Sequence, residues 1–258
     1  MSGRSLEPYF YLNKNSVEAT PHGAGPWDPT MLHGGAPTAL IVRLLEDQPS
    51  DVPMQLTRLT VDLKRPVPVG TLDIDLKVTR EGRNIQTFDV TLTSNGKEVT
   101  RASALKIRSK AFDLPEDATL PSNAFILPEA KETGLRAVGF NSTVDMRDGG
   151  AHPTNGTQSV WFRIERPFFE DRETTPLMRA AATGDYCNGT GSPLDFEQWT
   201  FLNADLTVHF SRPPVGEWMM LAAKSWIGPD GRGLAFGELA DHQGFFGRAT
   251  QSLVIAKR

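Results

Sequence analysis

An internal repeat constrains this chain more than any other feature. Leu59-Thr60-Val61-Asp62-Leu63-Lys64-Arg65-Pro66 returns 147 residues later as Leu206-Thr207-Val208-His209-Phe210-Ser211-Arg212-Pro213, and Val-Gly follows each copy, at Val69-Gly70 and Val215-Gly216. Arg101-Ala102-Ser103 and Arg248-Ala249-Thr250 keep the same 147-residue separation, and Glu81-Gly82-Arg83 has a counterpart in Asp230-Gly231-Arg232. Several anchors held at one spacing are the signature of a duplicated structural unit.

In the first copy the unit opens on a helix that has to be enclosed. Pro37 falls in its first turn, where the missing N–H costs nothing and the fixed φ suits a helix start. From Thr38 to Glu46 only Thr38, Arg43 and Glu46 are polar, so Ala39, Leu40, Ile41, Val42, Leu44 and Leu45 spread apolar surface around nearly the whole circumference. At about eleven residues it is too short to cross a bilayer, which takes about twenty, so protein must surround it. Alternating, β-branched runs at residues 56–63, 71–79, 85–93 and 98–107 supply the wrapper, with Asn95-Gly96 as a hairpin turn. The second copy opens with a strand at 159–164. A helix follows from about Pro176 to Gly184, capped by Thr174 or Thr175, and strands begin at Asn203, Trp218, Leu234 and Phe245. Phe10-Tyr11-Leu12 is a further short strand. The expected division is a first unit over 1–108, a Pro- and Gly-bearing connection over 109–157 running across the surface, and a second unit over 158–258. The fold class is α+β, with two antiparallel sheets, each around a helix, side by side.

Composition narrows the function. With 39% hydrophobic and 22% charged residues, the 258-residue chain is an ordinary globular one. A net charge of −4 gives no footprint for a nucleic-acid backbone. The lone Cys187 excludes an intrachain disulfide and is compatible with a reducing compartment, so a cytoplasmic location without a membrane span is expected. His22, His152, His209 and His242 show no metal-ligand spacing, and neither a metal nor a cofactor is expected. The tryptophans Trp161, Trp199, Trp218 and Trp226 read as core or interface packing residues, one or two of which line a tunnel for an apolar ligand.

A duplicated unit starts with two equivalent sites, so polar residues kept by one copy alone point to chemistry. Asp185, Asn203 and Gln251 stand out in the second copy; at the repeat spacing Thr38, Leu56 and Ala104 oppose them. Asp185 ends the second helix, where a carboxylate faces the negative pole of the dipole, a setting for a general base or water-orienting group. The plainer reading makes it a turn cap with Asn188-Gly189. Asn203 and Gln251 carry amides able to fix a water or a carbonyl, or else to satisfy strand ends. His33-Gly34-Gly35 opens the first helix, where glycines admit a ligand to bare backbone and the N–H groups of Gly35 and Ala36 offer a hole for a developing oxyanion; alternatively, this is a tight turn with His33 as packing. Arg65 and Arg212, with Lys64 and Arg58, either meet a phosphate or are solvated strand-end charges.

Trp27-Asp28-Pro29, His33-Gly34-Gly35 before the buried helix, the Arg-Pro pair after the next strand and the ending Gly247-Arg248-Ala249-Thr250-Gln251 together resemble the acyl-CoA thioesterases of the double hotdog fold, the group containing bacterial thioesterase II. The resemblance implies a long helix wrapped by an antiparallel sheet in each half. It also implies a site between the halves, where an Asp, a Thr or Ser, and a Gln orient the hydrolytic water. Asp185 matches the Asp, Asn203 stands where a hydroxyl residue is expected, and Gln251 matches the Gln within one position, leaving Ser252 as its competitor. The expected function is hydrolysis of an acyl-CoA in lipid metabolism by a homodimer or higher homo-oligomer. Catalysis falls to Asp185, Asn203, Gln251 and Gly35, and substrate contact to His33, Gly34, Ala36, Arg65 and Arg212. Two alternatives stand beside it: an acyl-CoA-binding hotdog protein without turnover, and a hotdog enoyl-CoA hydratase. Thr183-Gly184-Asp185-Tyr186 resembles the hydratase pattern, but Cys187-Asn188-Gly189 supplies neither its Pro nor its His.

Overall fold

A computed structural model describes residues 6–115, 118, 125–129, 138–151 and 157–258. Among the described residues, thirteen antiparallel strands form one continuous sheet. The first half holds β1 (Phe10–Leu12), β2 (Ser16–Ala19), helix α1 (Gly35–Glu46), β3 (Met54–Leu63), β4 (Gly70–Glu81), β5 (Ile85–Ser94) and β6 (Lys97–Arg108). The second holds β7 (Val144–Ala151), β8 (Gln158–Ile164), α2 (Pro176–Gly184), the single-turn α3 (Cys187–Gly191), β9 (Trp199–Asn203), β10 (Asp205–Phe210), β11 (Met219–Ile227), β12 (Arg232–Asp241) and β13 (Gly244–Lys257). Among the described residues no helix is long and apolar enough to cross a membrane.

The repeat is visible in the strand order, β1-β2-β4-β5-β6-β3-β10-β13-β12-β11-β8-β7, which reads outward from β3 and β10 as the same succession in both directions. β3 and β10 pair with Thr60 opposite Thr207, Leu59 opposite Val208 and Val61 opposite Leu206. Residues equivalent in the repeat therefore face each other or exchange places, and an approximate two-fold axis passes between Thr60 and Thr207, whose hydroxyls lie 3.2 Å apart. Even an irregularity repeats. β3 bulges against β6 between Leu56 and Arg58, and at the corresponding place Ala204 separates β9 from β10.

Helix α1 is enclosed as its composition demands. Ala36, Ala39, Leu40, Ile41, Val42 and Leu45 are all fully buried among sheet residues such as Leu59, Val61, Phe88 and Val90. Each large aliphatic side chain there contributes about 1.5–3 kcal/mol by leaving water. Helix α2 starts at Pro176 after Thr175, whose hydroxyl accepts from the Met178 N–H, and it lies against α1 closely enough that a Cβ on Gly35 would sit 3.0 Å from the Ala182 carbonyl oxygen. The two helices begin 141 residues apart, at Gly35 and Pro176, so the repeat spacing does not carry into them and Thr38 is not the positional counterpart of Asp185.

Part of the stretch 109–157, expected as a surface connection, is integral to the fold. Val144–Ala151 is a strand paired with β8, and a 3-10 turn at Gly139–Thr143 buries Phe140 completely. Gly139 has φ +54°, and a Cβ there would collide with the Ala24 carbonyl, so the Pro and Gly content reflects a tight crossing. His152, Pro121 and Asn155-Gly156 lie outside the described residues.

Candidate active site

The N-terminus of α1, from the first half, meets the C-terminus of α2, from the second, at the floor of a cleft of about 930 Å³. Trp27, Leu32, Leu63, Tyr186, Phe196 and Phe201 give it apolar walls, and Arg65 lies on its margin. Trp27 stacks on Phe196 at 5.3 Å and meets Phe201 edge-on.

Asp185 caps α2 and its side chain is 4% exposed. The Asn203 Nδ2 donates to its Oδ1 at 2.8 Å, and the Gln251 Nε2 donates to the same oxygen at 3.2 Å and to the Asp185 carbonyl at 3.0 Å. The other carboxylate oxygen, Oδ2, faces the His33 Nδ1 at 3.0 Å. A Cβ on Gly34 would stand 2.7 and 2.8 Å from the two carboxylate oxygens, so any other residue at this position would push the carboxylate aside. Two second-copy amides and the His-Gly of the first copy thus converge on one buried carboxylate.

Each partner is fixed in turn. The Gln251 Oε1 accepts from the Asn188 N–H at 3.1 Å, which sets its amide orientation and commits both ends of the side chain. Gln251 is 1% exposed whereas Ser252 faces outward with its N–H on Asp205, so strand alternation selects Gln251. The Asn203 Oδ1, in contrast, has no protein partner among the described residues, and Asn203 lines the cleft. The His33 ring is held between rings, stacked on Phe140 at 4.9 Å and tilted against Tyr186 at 4.7 Å, while the His33 backbone N–H donates to the Gly23 carbonyl.

Other expectations are corrected. The Ala36 N–H donates to the His33 carbonyl at 2.9 Å and the Gly35 N–H to the His33 Nδ1 at 3.1 Å; neither residue lines the cleft. A short side-chain turn at the helix start consumes the donors that a bare Gly-Gly would leave open, and Gly34, which lines the cleft, has the N–H without a partner among the described residues. Arg212 does not line the cleft. Its guanidinium binds the fully buried Asp241 bidentately at 2.7 and 2.8 Å and the Gly244 carbonyl at 2.8 Å, an internal ion pair in place of a phosphate contact. Arg65 does line the cleft and has no carboxylate partner among the described residues. Lys64 pairs with Glu98, and Arg58 donates to Ser103. The cleft is not lined by Trp161, Trp199, Trp218 or Trp226; Trp27 serves there.

Sequence reasoning missed Phe140, Asn141, Tyr186 and Asn188. The first two arrive from the stretch read as a connection, and the Tyr186 phenol donates to the Asn141 Oδ1 at 2.7 Å. Burial, with the nearby Tyr9 and Asp185 adding to it, pushes that phenol well above its ordinary range, so Tyr186 stays protonated. Burial likewise drives the Cys187 thiol up, and with no exposed surface it supplies no thiolate nucleophile. No group of three or more His, Cys, Asp or Glu able to hold a metal occurs among the described residues.

The two-fold partner of this corner, where α1 ends against the start of α2, is filled differently. Glu46 accepts from the Thr175 hydroxyl at 3.1 Å and faces Arg172 at 3.6 Å, while Asp47 is bound by Arg43 and Arg172.

Comparison with known proteins agrees with this architecture. The acyl-CoA thioesterase N-terminal domain family matches residues 23–107, and the acyl-CoA thioesterase C-terminal domain family matches residues 115–255. A search of curated proteins gives no significant match. Among solved structures, a hot dog fold protein of unknown function from Alicyclobacillus acidocaldarius superposes with a TM-score of 0.70 at 18% identity, covering 96% of this chain and 95% of that one. An acyl-CoA thioesterase II from Mycobacterium marinum gives 0.68 at 17% identity, over 98% and 95%. A 12:0-ACP thioesterase from Umbellularia californica gives 0.53 at 14%, over 94% and 93%. At these identities the structural likeness is one of fold.

Proposed function

The chain belongs to the acyl-CoA thioesterase family and hydrolyses acyl-CoA thioesters to the free acid and coenzyme A; from that premise we propose that a water activated by Asp185 attacks the thioester directly. The observation that carries this reading is the buried Asp185 carboxylate on the cleft floor, held on one oxygen by two amides, with the other oxygen beside Gly34 and the His33 ring. Asn203 and Gln251 saturate Oδ1, which leaves Oδ2 as the proton acceptor. Asn203 does what a hydroxyl would do in the same place, donating through Nδ2 to Asp185 and accepting the second O–H of the water on its free Oδ1. Gln251 is a positioning residue. The Gly34 N–H, at the positive end of α1, is the oxyanion donor. The acyl chain lies along the Trp27, Phe196 and Phe201 wall, and Arg65 meets a phosphate of the nucleotide outside.

The mirrored strand order supports a tandem double hotdog, each half an antiparallel sheet around its own helix, with first and second units centred on 1–108 and 158–258. The free, buried Cys187 fits a cytoplasmic enzyme of lipid metabolism. Self-association is supported by exposed apolar side chains on the second half away from the cleft, Trp226 at 58% exposed with Leu234 opposite it.

The test is release of free CoA from a panel of acyl-CoAs, followed with a thiol reagent. The wild type releases CoA; Asp185→Asn, with an unchanged fold, loses at least about a hundredfold in kcat, the scale of a missing general base. An unaffected Asp185→Asn would overturn the mechanism.

A further inference from the structure

Glycine is among the poorest helix residues, so one inside a helix needs a reason. Helix α3, Cys187-Asn188-Gly189-Thr190-Gly191, holds two. For Gly191 the reason is packing, since a Cβ there would sit 2.6 Å from the Lys224 backbone of β11. Gly189 has no reason of that kind: a Cβ would meet nothing within 4 Å, and its φ lies outside the left-handed region. Among the described glycines it alone combines a backbone that any residue adopts with empty space where a side chain would go. That space belongs to the cleft, which Gly189 lines together with Asp185 and Phe201.

The position of Gly189 ties this space to the reacting centre. The chain runs from Asp185 (φ −70°) through Tyr186 (φ −82°) into α3 in right-handed turns, and the Thr190 N–H donates to the Tyr186 carbonyl at 2.9 Å. Gly189 therefore stands one turn past Asp185, about 6 Å along the axis and on the same face. Helix α3 is too firmly held to drift in and close the gap. The Asn188 N–H is bound to the Gln251 Oε1 at 3.1 Å, the Asn188 Nδ2 to the Phe201 carbonyl at 2.8 Å, and Gly191 abuts β11. We propose that Gly189 is a specificity-determining residue, its missing side chain making room for an acyl group that is branched or ring-bearing close to the thioester carbonyl. This rests on the acyl chain lying along the wall of Trp27, Phe196 and Phe201, to which Asn188 ties α3 through Phe201. With the carbonyl beside Asp185, the first few acyl carbons pass Gly189. A straight chain leaves the space there unfilled, whereas a methyl branch or a ring fills it and gains burial and contacts. Trp27 stacks on Phe196 at 5.3 Å and Phe201 meets Phe196 edge-on at 4.6 Å, so a flat ring finds both faces and edges in the same wall. A side chain at position 189 would take up the same volume, and so compete with bulk next to the carbonyl.

The test compares acyl groups matched in carbon number: isovaleryl-CoA against valeryl-CoA, and phenylacetyl-CoA against octanoyl-CoA. Wild-type kcat/KM for the branched and ring-bearing members should equal or exceed that for their straight partners. Gly189→Leu should lower the bulky-to-straight ratio at least about tenfold, and Gly189→Ala about threefold, the scale on which an apolar pocket rejects a misfit of a methylene or two. Gly189→Ala should also unfold at a urea concentration no lower than the wild type, because no packing demands the glycine. A wild type that rejects the bulky members, ratios that do not move in either variant, or an Ala variant that unfolds earlier overturns the inference. Phe196→Ala keeps this failure apart from that of the acyl-wall assignment, since it should raise KM for every substrate. If it does so while the Gly189 ratios stay in place, the inference alone falls. If every KM holds in Phe196→Ala, the wall assignment falls and takes the inference with it.

Discussion

Gly34 is the residue on which the geometry of the carboxylate turns. Its φ of −60° is ordinary for any amino acid, so no backbone strain requires glycine; the requirement comes from the Asp185 oxygens beside it. Gly34→Ala is therefore expected to displace the carboxylate by the better part of an ångström and to lower kcat about a hundredfold, because misplacement on that scale is expensive in an oriented site. The cost in stability should stay near the 1–3 kcal/mol of ordinary overpacking. Steady-state kinetics beside a denaturation curve would check both. Asn203 and Gln251 were legible because the first copy has Leu56 and Ala104 at the repeat spacing, whereas Asp185 was legible from its place at the end of α2, since the spacing does not carry into the helices and α1 also ends on an Asp, Asp47. What sequence could not convey was whom they address. Asn203 and Gln251 read as amides reaching for water or a carbonyl, and the structure spends them on one oxygen of Asp185. The first-turn donors of α1 were misassigned for a related reason: His33 is a side chain able to fold back on its own helix start, a local competition no periodicity reveals.

At the level of elements, the hairpin of β12 and β13 depends on an ion pair whose arginine, Arg212, was read from sequence as meeting a phosphate or as a solvated strand-end charge. Asp241 is fully buried, and burial would raise its carboxyl. The Arg212 guanidinium, together with the Val215 and Gln243 N–H groups, overrides burial and holds it below the usual carboxylate range. A lowered folded value means that Asp241 contributes stability above about pH 4 that is lost as the pH falls through that value. Arg212→Leu leaves the buried carboxylate unpaired and should cost about 3–5 kcal/mol in urea unfolding at neutral pH, with KM for acyl-CoA unchanged. The penalty should shrink on acidification, since protonating Asp241 removes the unpaired charge. Arg65 and Arg212 are equivalent by repeat but not by role, since Arg212 finds a buried Asp where Arg65 does not. Elements with strong periodicity were readable almost to the residue: α2 runs from Pro176 to Gly184 as expected, and Asn95-Gly96 turns with φ of 49° and 72°. β7 was hidden because its Val-Asp-Met-Arg-Asp-Gly-Gly-Ala sequence carries charge and glycine on both faces, which no alternation flags as a strand.

For the whole molecule, the repeat was the strongest guide, since an antiparallel β3–β10 seam places Thr60 against Thr207 just as a two-fold arrangement of equivalent strands demands. The outer faces of the two halves have diverged. Trp226, which packs against Phe236 at 4.8 Å and is 58% exposed, pairs with Leu234 in the second half; in the first, Thr87, at the repeat spacing from Leu234, pairs with Arg80. Trp226→Lys puts a charge among these apolar side chains and is expected to shift the protein toward monomer, read by light scattering across a concentration series, without loss of fold. The inner corners have diverged as well. Only one of them joins a carboxylate to an unobstructed glycine; the other is stoppered by Glu46, Arg172 and the Asp47 cluster. However many chains assemble, then, a tight-binding thioester mimic should titrate to an endpoint of one equivalent per polypeptide, half of what the symmetry of the backbone advertises.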